Sequence, residues 1–130
     1  MKCLDTDLLI AILRGKQEAH DLVFEIEQEP KAATTSINAF VVFYGAFKFQ
    51  MKSQNLKEAE KLLDSLEIMP MGLSSVRKAA EISDMLAEKG EPIDFRDAMV
   101  AGMAIVNDLT LVSRNKAYFG RVKELKLQTW

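Results

Sequence analysis

Hydrophobic residues along this chain come in short bursts separated by charged stretches of helical period, and that alternation predicts repeated strand–helix units. The opening MKCLD is apolar up to its acid and predicts a strand; LLIAIL follows as a short helix closed at Arg14-Gly15. Residues 16–29 are charged, with Ala19, Leu22, Val23 and Ile26 at helical spacing, and Pro30 stops them. Ala32 to Thr35 predicts a brief second strand. Ser36 is then expected to cap a long helix reaching about Met51, with Ile37, Val41, Tyr44 and Lys48 in one row and Phe40, Phe43 and Phe47 beside it. Asn55 is expected to cap LKEAEKLLDSL, and LEIMP reads as a third strand closed by Pro70. From Ser74 to Glu88 the positions Val76, Ala79, Ala80, Ile82, Met85 and Leu86 are helical, with Lys89-Gly90 as the stop. Asp94 opens a helix through Val106. A turn at Asn107-Asp108, a strand TLVS, a short helix from Asn115 to Phe119 and a strand KLQTW complete the pattern.

Short β-runs alternating with helices imply parallel strands joined by crossovers, so the expected class is α/β: a three-layer sandwich around a short central parallel sheet. With no repeat, linker or low-complexity tract, residues 1–130 are expected to form a single domain. In such sheets the ligand crevice lies beyond the carboxyl ends of the strands. Asp5 closes the first strand, Ser113 to Asn115 follow a later one, and Asp97 lies in the first turn of a helix. All three are expected at one cleft.

Composition narrows the class further. The single cysteine, Cys3, cannot form an internal disulfide framework. Apolar stretches such as Ala98 to Val106 fall well short of the about 20 residues that span a bilayer, so no membrane segment is expected. Acids interrupt the region where a signal peptide needs an unbroken apolar run, and the expected location is the cytoplasm. Seventeen Lys and Arg against 19 Asp and Glu give a formal charge of −2, which excludes a histone-like protein held on nucleic acid by bulk charge. The distribution is uneven. Glu18, Asp21, Glu25, Glu27 and Glu29 crowd an early helix, whereas Arg114, Lys116, Arg121, Lys123 and Lys126 face only Glu124.

Carboxylates gathered in a cleft repel one another unless a cation neutralises them, and hard oxygen ligands suit Mg2+ or Mn2+. A divalent ion there favours phosphodiester hydrolysis, because it activates water and stabilises charge on a phosphoryl oxygen. By themselves these residues have a commoner explanation: Asp5-Thr6-Asp7 is a good helix start, and Asp94 with Asp97 three residues on is a good capping pattern.

The order LDTDLLIAILRG, TTSINAFVVFYGAFK, LEIMPM, GEPIDFRDAMVAGMAIVNDLTLVSRN, AYF and Trp130 resembles PIN-domain proteins of the VapC toxin type over essentially the whole chain. The resemblance implies a PIN-like fold and a small metal-dependent ribonuclease using Mg2+ or Mn2+. It also implies an RNA substrate, a cognate antitoxin protein as partner and a homodimer. Position by position, it places Asp5 and Asp97 as catalytic metal ligands and Asn115 as the further catalytic position. Ser113 falls on the neighbouring hydroxyl position, and Asp7 and Asp94 are possible accessory acids. One position departs from the pattern: aligning on Ile37-Asn38 and Gly45 puts Val41 where the family carries a Glu. The alternative is therefore a catalytically degenerate PIN fold acting as a binding or regulatory module.

Other candidates carry less chemistry. His20, the sole histidine, sits on an acidic helix without partners for catalysis, and Cys3 reads as a small buried filler. The stripe Phe40, Phe43, Phe47 and the pair Met69, Met71 read as core or dimer surface rather than base-stacking platforms. Arg114, Lys116 and Arg121 are the candidates for RNA phosphate contact, Arg114 because it directly precedes Asn115.

Overall fold

The structure, a computed structural model, describes residues 1–130. Five short strands, β1 (Lys2–Leu4), β2 (Ala32–Thr35), β3 (Glu67–Met69), β4 (Thr110–Val112) and β5 (Lys126–Gln128), form one sheet in the order β3-β2-β1-β4-β5. Every pairing is parallel, with Lys2 opposite both Ala32 and Thr110. The helices are α1 (Thr6–Leu13), α2 (Gln17–Glu27), α3 (Ser36–Lys48), α4 (Lys52–Asp64), α5 (Leu73–Glu88), α6 (Phe95–Val106) and α7 (Lys116–Phe119).

Alternation along the strands sorts side chains into two cores, one on each side of the sheet. Cys3, Ala33 and Leu111 pack with Ala79, Ile82 and Leu86 of α5 and Val100, Ala101 and Ala104 of α6. Leu4, Ala32 and Val112 face the other way, onto Leu8 and Leu9 of α1, Leu22 of α2, Val42 of α3 and Leu63 of α4. This is the expected three-layer sandwich. Gly15 ends α1 at φ 66, in the left-handed region open to residues without a Cβ. Gly102 serves a different purpose. A Cβ there would lie 2.9 Å from both the Ala79 nitrogen and the Ser75 oxygen, so its absence lets α6 approach the backbone of α5.

The boundaries of α3 and α4 differ from expectation. Thr35, not Ser36, caps α3: its Oγ1 accepts the Asn38 N–H at 3.1 Å, while Ser36 is already helical. The helix then stops at Lys48, and Met51 turns left-handed at φ 64. As a result α4 starts at Lys52, and Asn55 lies inside its first turn, donating its amide to the Gln50 carbonyl at 2.9 Å instead of capping. The buried face of α3 also differs. It carries Asn38, Ala39 and Val42, whereas Phe40, Tyr44 and Phe47 are exposed and Phe40 stacks on Tyr44 at the surface.

No helix is long and apolar enough to cross a membrane. What positions a site is the strand order: the chain winds outward from β1 through β2 to β3, then returns to the opposite side of β1 with β4 and β5. The crevice beyond the carboxyl ends of β1 and β4 is the switch point at which open parallel sheets hold their ligands.

Candidate active site

Asp5 is the first residue past β1, and its backbone N–H still continues the sheet by donating to the Val112 carbonyl of β4 at 3.1 Å. It occupies the N-cap position of α1, yet its side chain does not cap. Instead Oδ1 accepts the Asn38 amide at 2.9 Å and Oδ2 accepts the Ser113 hydroxyl at 2.6 Å. Ser113, the first residue past β4, is fully buried, and its Oγ in turn accepts the Asn115 N–H at 3.0 Å. The Asn115 side-chain amide reaches Asp97 Oδ2 at 3.4 Å. Asp5, Ser113, Asn115 and Asp97 are thus joined in one chain of contacts across β1, β4 and the first turn of α6.

Neither carboxylate is neutralised. Asp5 is only 8% exposed, and burial pushes its carboxyl up to about 6, with the charge of Asp7 adding to the rise against hydrogen bonds from Ser113, the Thr6 backbone and Asn38. Asp97 is also raised, first by burial and then by the charge of Asp94; Arg96 and the Asn115 amide oppose the rise. No Lys or Arg forms an ion pair with Asp5, Asp7 or Asp97. Repelling carboxylates held together without a cationic side chain are destabilising for the fold and favourable for a bound cation.

Asp7 points into the same region but is engaged by protein donors. Its Oδ2 accepts the Arg114 N–H at 2.9 Å and lies 3.1 Å from Ser113 Oγ, whose single proton goes to Asp5, and its Oδ1 accepts the Trp130 Nε1–H at 3.2 Å. Asp94 caps α6 through its backbone only, and its carboxylate pairs with Arg96 at 3.3 Å. Val41 lies one helical turn beyond Asn38, half-buried, and lines a groove of about 330 Å3 with Ile10, Arg14 and Ala46. Among the basic candidates, Lys116 is exposed at the start of α7. Arg121 lies over the Tyr118 ring and donates to the Pro92 carbonyl at 2.9 Å, and Arg114 lies over Trp130.

No group of three or more His, Cys, Asp or Glu side chains is gathered for a metal. The available set is the Asp5–Asp97 pair with the Asn115 amide, and it suits a hard ion such as Mg2+, which is commonly held by one or two carboxylates with waters and substrate phosphate completing its shell.

Two residues at the site carry roles that the linear pattern did not assign. Asn38 is 2% exposed and bonds Asp5, Thr6 and Thr35 at once; the Thr-x-x-Asn capping pattern at the start of α3 is the local signal for it. Trp130 fixes Asp7, and nothing near it in sequence points to a carboxylate at the other end of the chain.

A five-stranded parallel sheet with carboxylates gathered at its switch point defines a class, and the match is direct: the PIN domain family model covers residues 2–125, and the chain belongs to that family. Within it, the chain is similar to the tRNA(fMet)-specific endonuclease VapC of Shigella flexneri, with 28% identity over 127 residues, covering 98% of this chain and 96% of the relative. Ribonuclease VapC2 of Rickettsia felis is 28% identical over 130 residues, covering 98% and 96%. The crystal structure of VapBC2 from Rickettsia felis bound to a DNA fragment from its promoter superposes with a TM-score of 0.91 at 25% identity, covering 99% of this chain and 98% of that one.

Proposed function

We propose that this protein is a divalent-metal-dependent ribonuclease of the VapC kind, the toxin of a toxin–antitoxin pair. One observation carries the reading: Asp5 and Asp97 are linked through Ser113 and Asn115 at the strand ends, both raised by burial and neither paired with a cation. Asp5 and Asp97 are the residues that would hold Mg2+ or Mn2+, with the Asn115 amide beside them. A divalent ion there supplies positive charge to the scissile phosphate and a nucleophilic water. The remaining work falls to the chain itself. Ser113 and Asn38 fix the two oxygens of Asp5 so that its carboxylate cannot swing out of the crevice. The Asn115 amide, already turned toward Asp97, orients a water for in-line attack on an RNA phosphate. Arg114 and Lys116 are the phosphate contacts of this reading, and Arg121 joins them only on releasing the Pro92 carbonyl.

The partner is a cognate antitoxin protein, as the VapBC complexes among the structural relatives support. The exposed aromatic row Phe40, Tyr44 and Phe47 on α3 supports a homodimer, and an RNA substrate fits a cytoplasmic protein. Nothing in the comparisons favours the degenerate binding module, although Val41 still stands at the family's Glu position. The test is cleavage of single-stranded RNA by the purified protein in Mg2+ or Mn2+. Activity is expected to vanish with a chelator and in Asp97→Asn, whereas no cleavage in either metal, or cleavage that survives Asp97→Asn, would overturn the reading.

A further inference from the structure

Beside the acids, on the α1–α2 side, lies a groove of about 460 Å3 whose charged lining is Asp7, Arg14, Lys16, Glu18 and Arg114, with Trp130 as its aromatic wall. Asp7 is turned to the Arg114 N–H and the Trp130 indole, and the lining sets three cations, Arg14, Lys16 and Arg114, against two carboxylates, Asp7 and Glu18. Arg14 and Lys16 have no ion-pair partner, and Glu18 pairs with Arg114. The groove thus keeps a small positive excess, three cations to two carboxylates, and the exposed Glu18 carboxylate rests on its central guanidinium.

That guanidinium is held in a defined plane. Its carbon lies 3.8 Å from the centre of the Trp130 ring, and the indole is itself pinned by its Nε1–H bond to Asp7. The Arg114 backbone N–H bonds the same carboxylate. A stacked, pre-oriented guanidinium loses less freedom on forming its paired hydrogen bonds, and its fork matches the geometry of a phosphate as well as that of a carboxylate. The Glu18 contact is easily exchanged, because the side chains are 47% and 71% exposed and ion pairs in that setting contribute little. The opposite flank of the crevice differs: Arg121 is already committed to the Pro92 carbonyl and the Tyr118 ring.

We propose that this groove is a backbone-phosphate subsite for the substrate strand, in which Arg114, stacked on Trp130, exchanges the Glu18 carboxylate for an RNA phosphate flanking the one at the acids. Arg14 and Lys16 supply the following electrostatic contacts along the groove. The subsite rests on the ribonuclease reading for its ligand, but its geometry is separate from the metal-ligand pair. Glu18 acts in the free protein as a phosphate mimic that any anionic strand must displace.

Trp130 is the only tryptophan in the chain, so its emission reports on this groove without cleavage. A single-stranded oligoribonucleotide with 2′-O-methyl sugars, titrated in EDTA, is expected to change Trp130 emission saturably. Glu18→Gln should tighten binding by about two- to fivefold, the worth of removing one exposed ion pair that competes with phosphate. Arg114→Ala should lower the slope of log affinity against log salt by about 0.7, one single-strand phosphate contact. In the Arg114→Ala background, Glu18→Gln should gain nothing further, and Arg114→Lys should restore the salt slope but not the full affinity. Both exposed substitutions leave Trp130 and the Asp7 backbone contact in place.

Unchanged affinity and salt slope in Arg114→Ala, or weaker binding in Glu18→Gln, would overturn the subsite, as would binding with no change in Trp130 emission. Saturable response to an acidic peptide but not to the oligonucleotide would also overturn it and assign the groove to a protein. The two readings fail separately. Cleavage in Mg2+ with Arg114→Ala binding like wild type removes the subsite alone, whereas oligonucleotide binding with the predicted variant pattern but no cleavage removes the ribonuclease alone.

Discussion

Replacing Asp5 with asparagine tests whether the buried carboxylate is there to hold the fold or in spite of it. Raising a carboxyl from its ordinary 3.8 to about 6 means that the ionised form costs the folded protein about 3 kcal/mol relative to the neutral one. In Asp5→Asn the side-chain oxygen would remain an acceptor for the Asn38 amide. The new amide nitrogen would donate to Ser113 Oγ, whose own proton is then free for Asp7, a contact already in place at 3.1 Å. The hydrogen bonds largely survive while the charge disappears, so a net gain of about 1–2 kcal/mol is expected after discounting for imperfect amide geometry, with Tm higher by roughly 3–8 °C.

The sign with pH follows from linkage: between 3.8 and about 6 the folded state binds more protons at Asp5 than the unfolded state does. Wild-type stability is therefore fullest on the acid side of this window and declines as pH rises through it. Urea unfolding followed by circular dichroism in EDTA should show Asp5→Asn more stable than wild type at about pH 7.5, with the advantage shrinking toward about pH 4. Millimolar Mg2+ should then stabilise wild type selectively. Loss of stability in Asp5→Asn at both pH values would show the carboxylate to be a structural anchor and would refute the electrostatic argument for the site.

Val41→Glu should remain folded, because Val41 is half-buried in a groove shared with Arg14, and should raise both Mn2+ affinity and RNA cleavage, with Asp97→Asn removing the gain; a folded variant with unchanged metal affinity, measured by calorimetry, would take this position out of the site. Gly102→Ala should cost about 1–3 kcal/mol in urea unfolding, since the added methyl meets α5 backbone rather than a side chain that can move. Cys3, fully buried and with its thiol pushed up to about 12 by burial and by the charge of Asp5, should react with a thiol reagent no faster than the protein unfolds. Rapid labelling in native buffer would contradict its placement against α5 and α6.

Every strand and helix of the fold was legible in the chain, because the turns are marked by residues with local physics: Gly15 and Gly90 in left-handed geometry, Pro30 after α2, and Asn107-Asp108 before β4. The face of α3 was not. Its exposed aromatics, Phe40, Tyr44 and Phe47, outweigh Ala39 and Val42 in any hydrophobic pattern, and the buried residue that matters most there is the polar Asn38. The candidate site was legible where it follows strand ends, at Asp5 and at Ser113 to Asn115. It was not legible in its supports. Asn38 meets Asp5 across 33 positions and Trp130 meets Asp7 across 123, separations that leave no periodic trace.

The seam between β1 and β4 has a consequence for synthesis. Asp5 and Ser113 are 108 positions apart, and the Asp5 backbone N–H is satisfied only by Val112. A nascent chain can form β1, α1 to α4 and even β3 while this crevice still lacks one wall, because long-range parallel pairing is completed only after the intervening loop has closed. A fragment ending between residues 97 and 112 carries Asp5 and Asp97 but neither the hydroxyl that orients the first nor the amide that faces the second. The hydrogen-bonded arrangement around the two acids is therefore complete only once almost the whole chain has emerged.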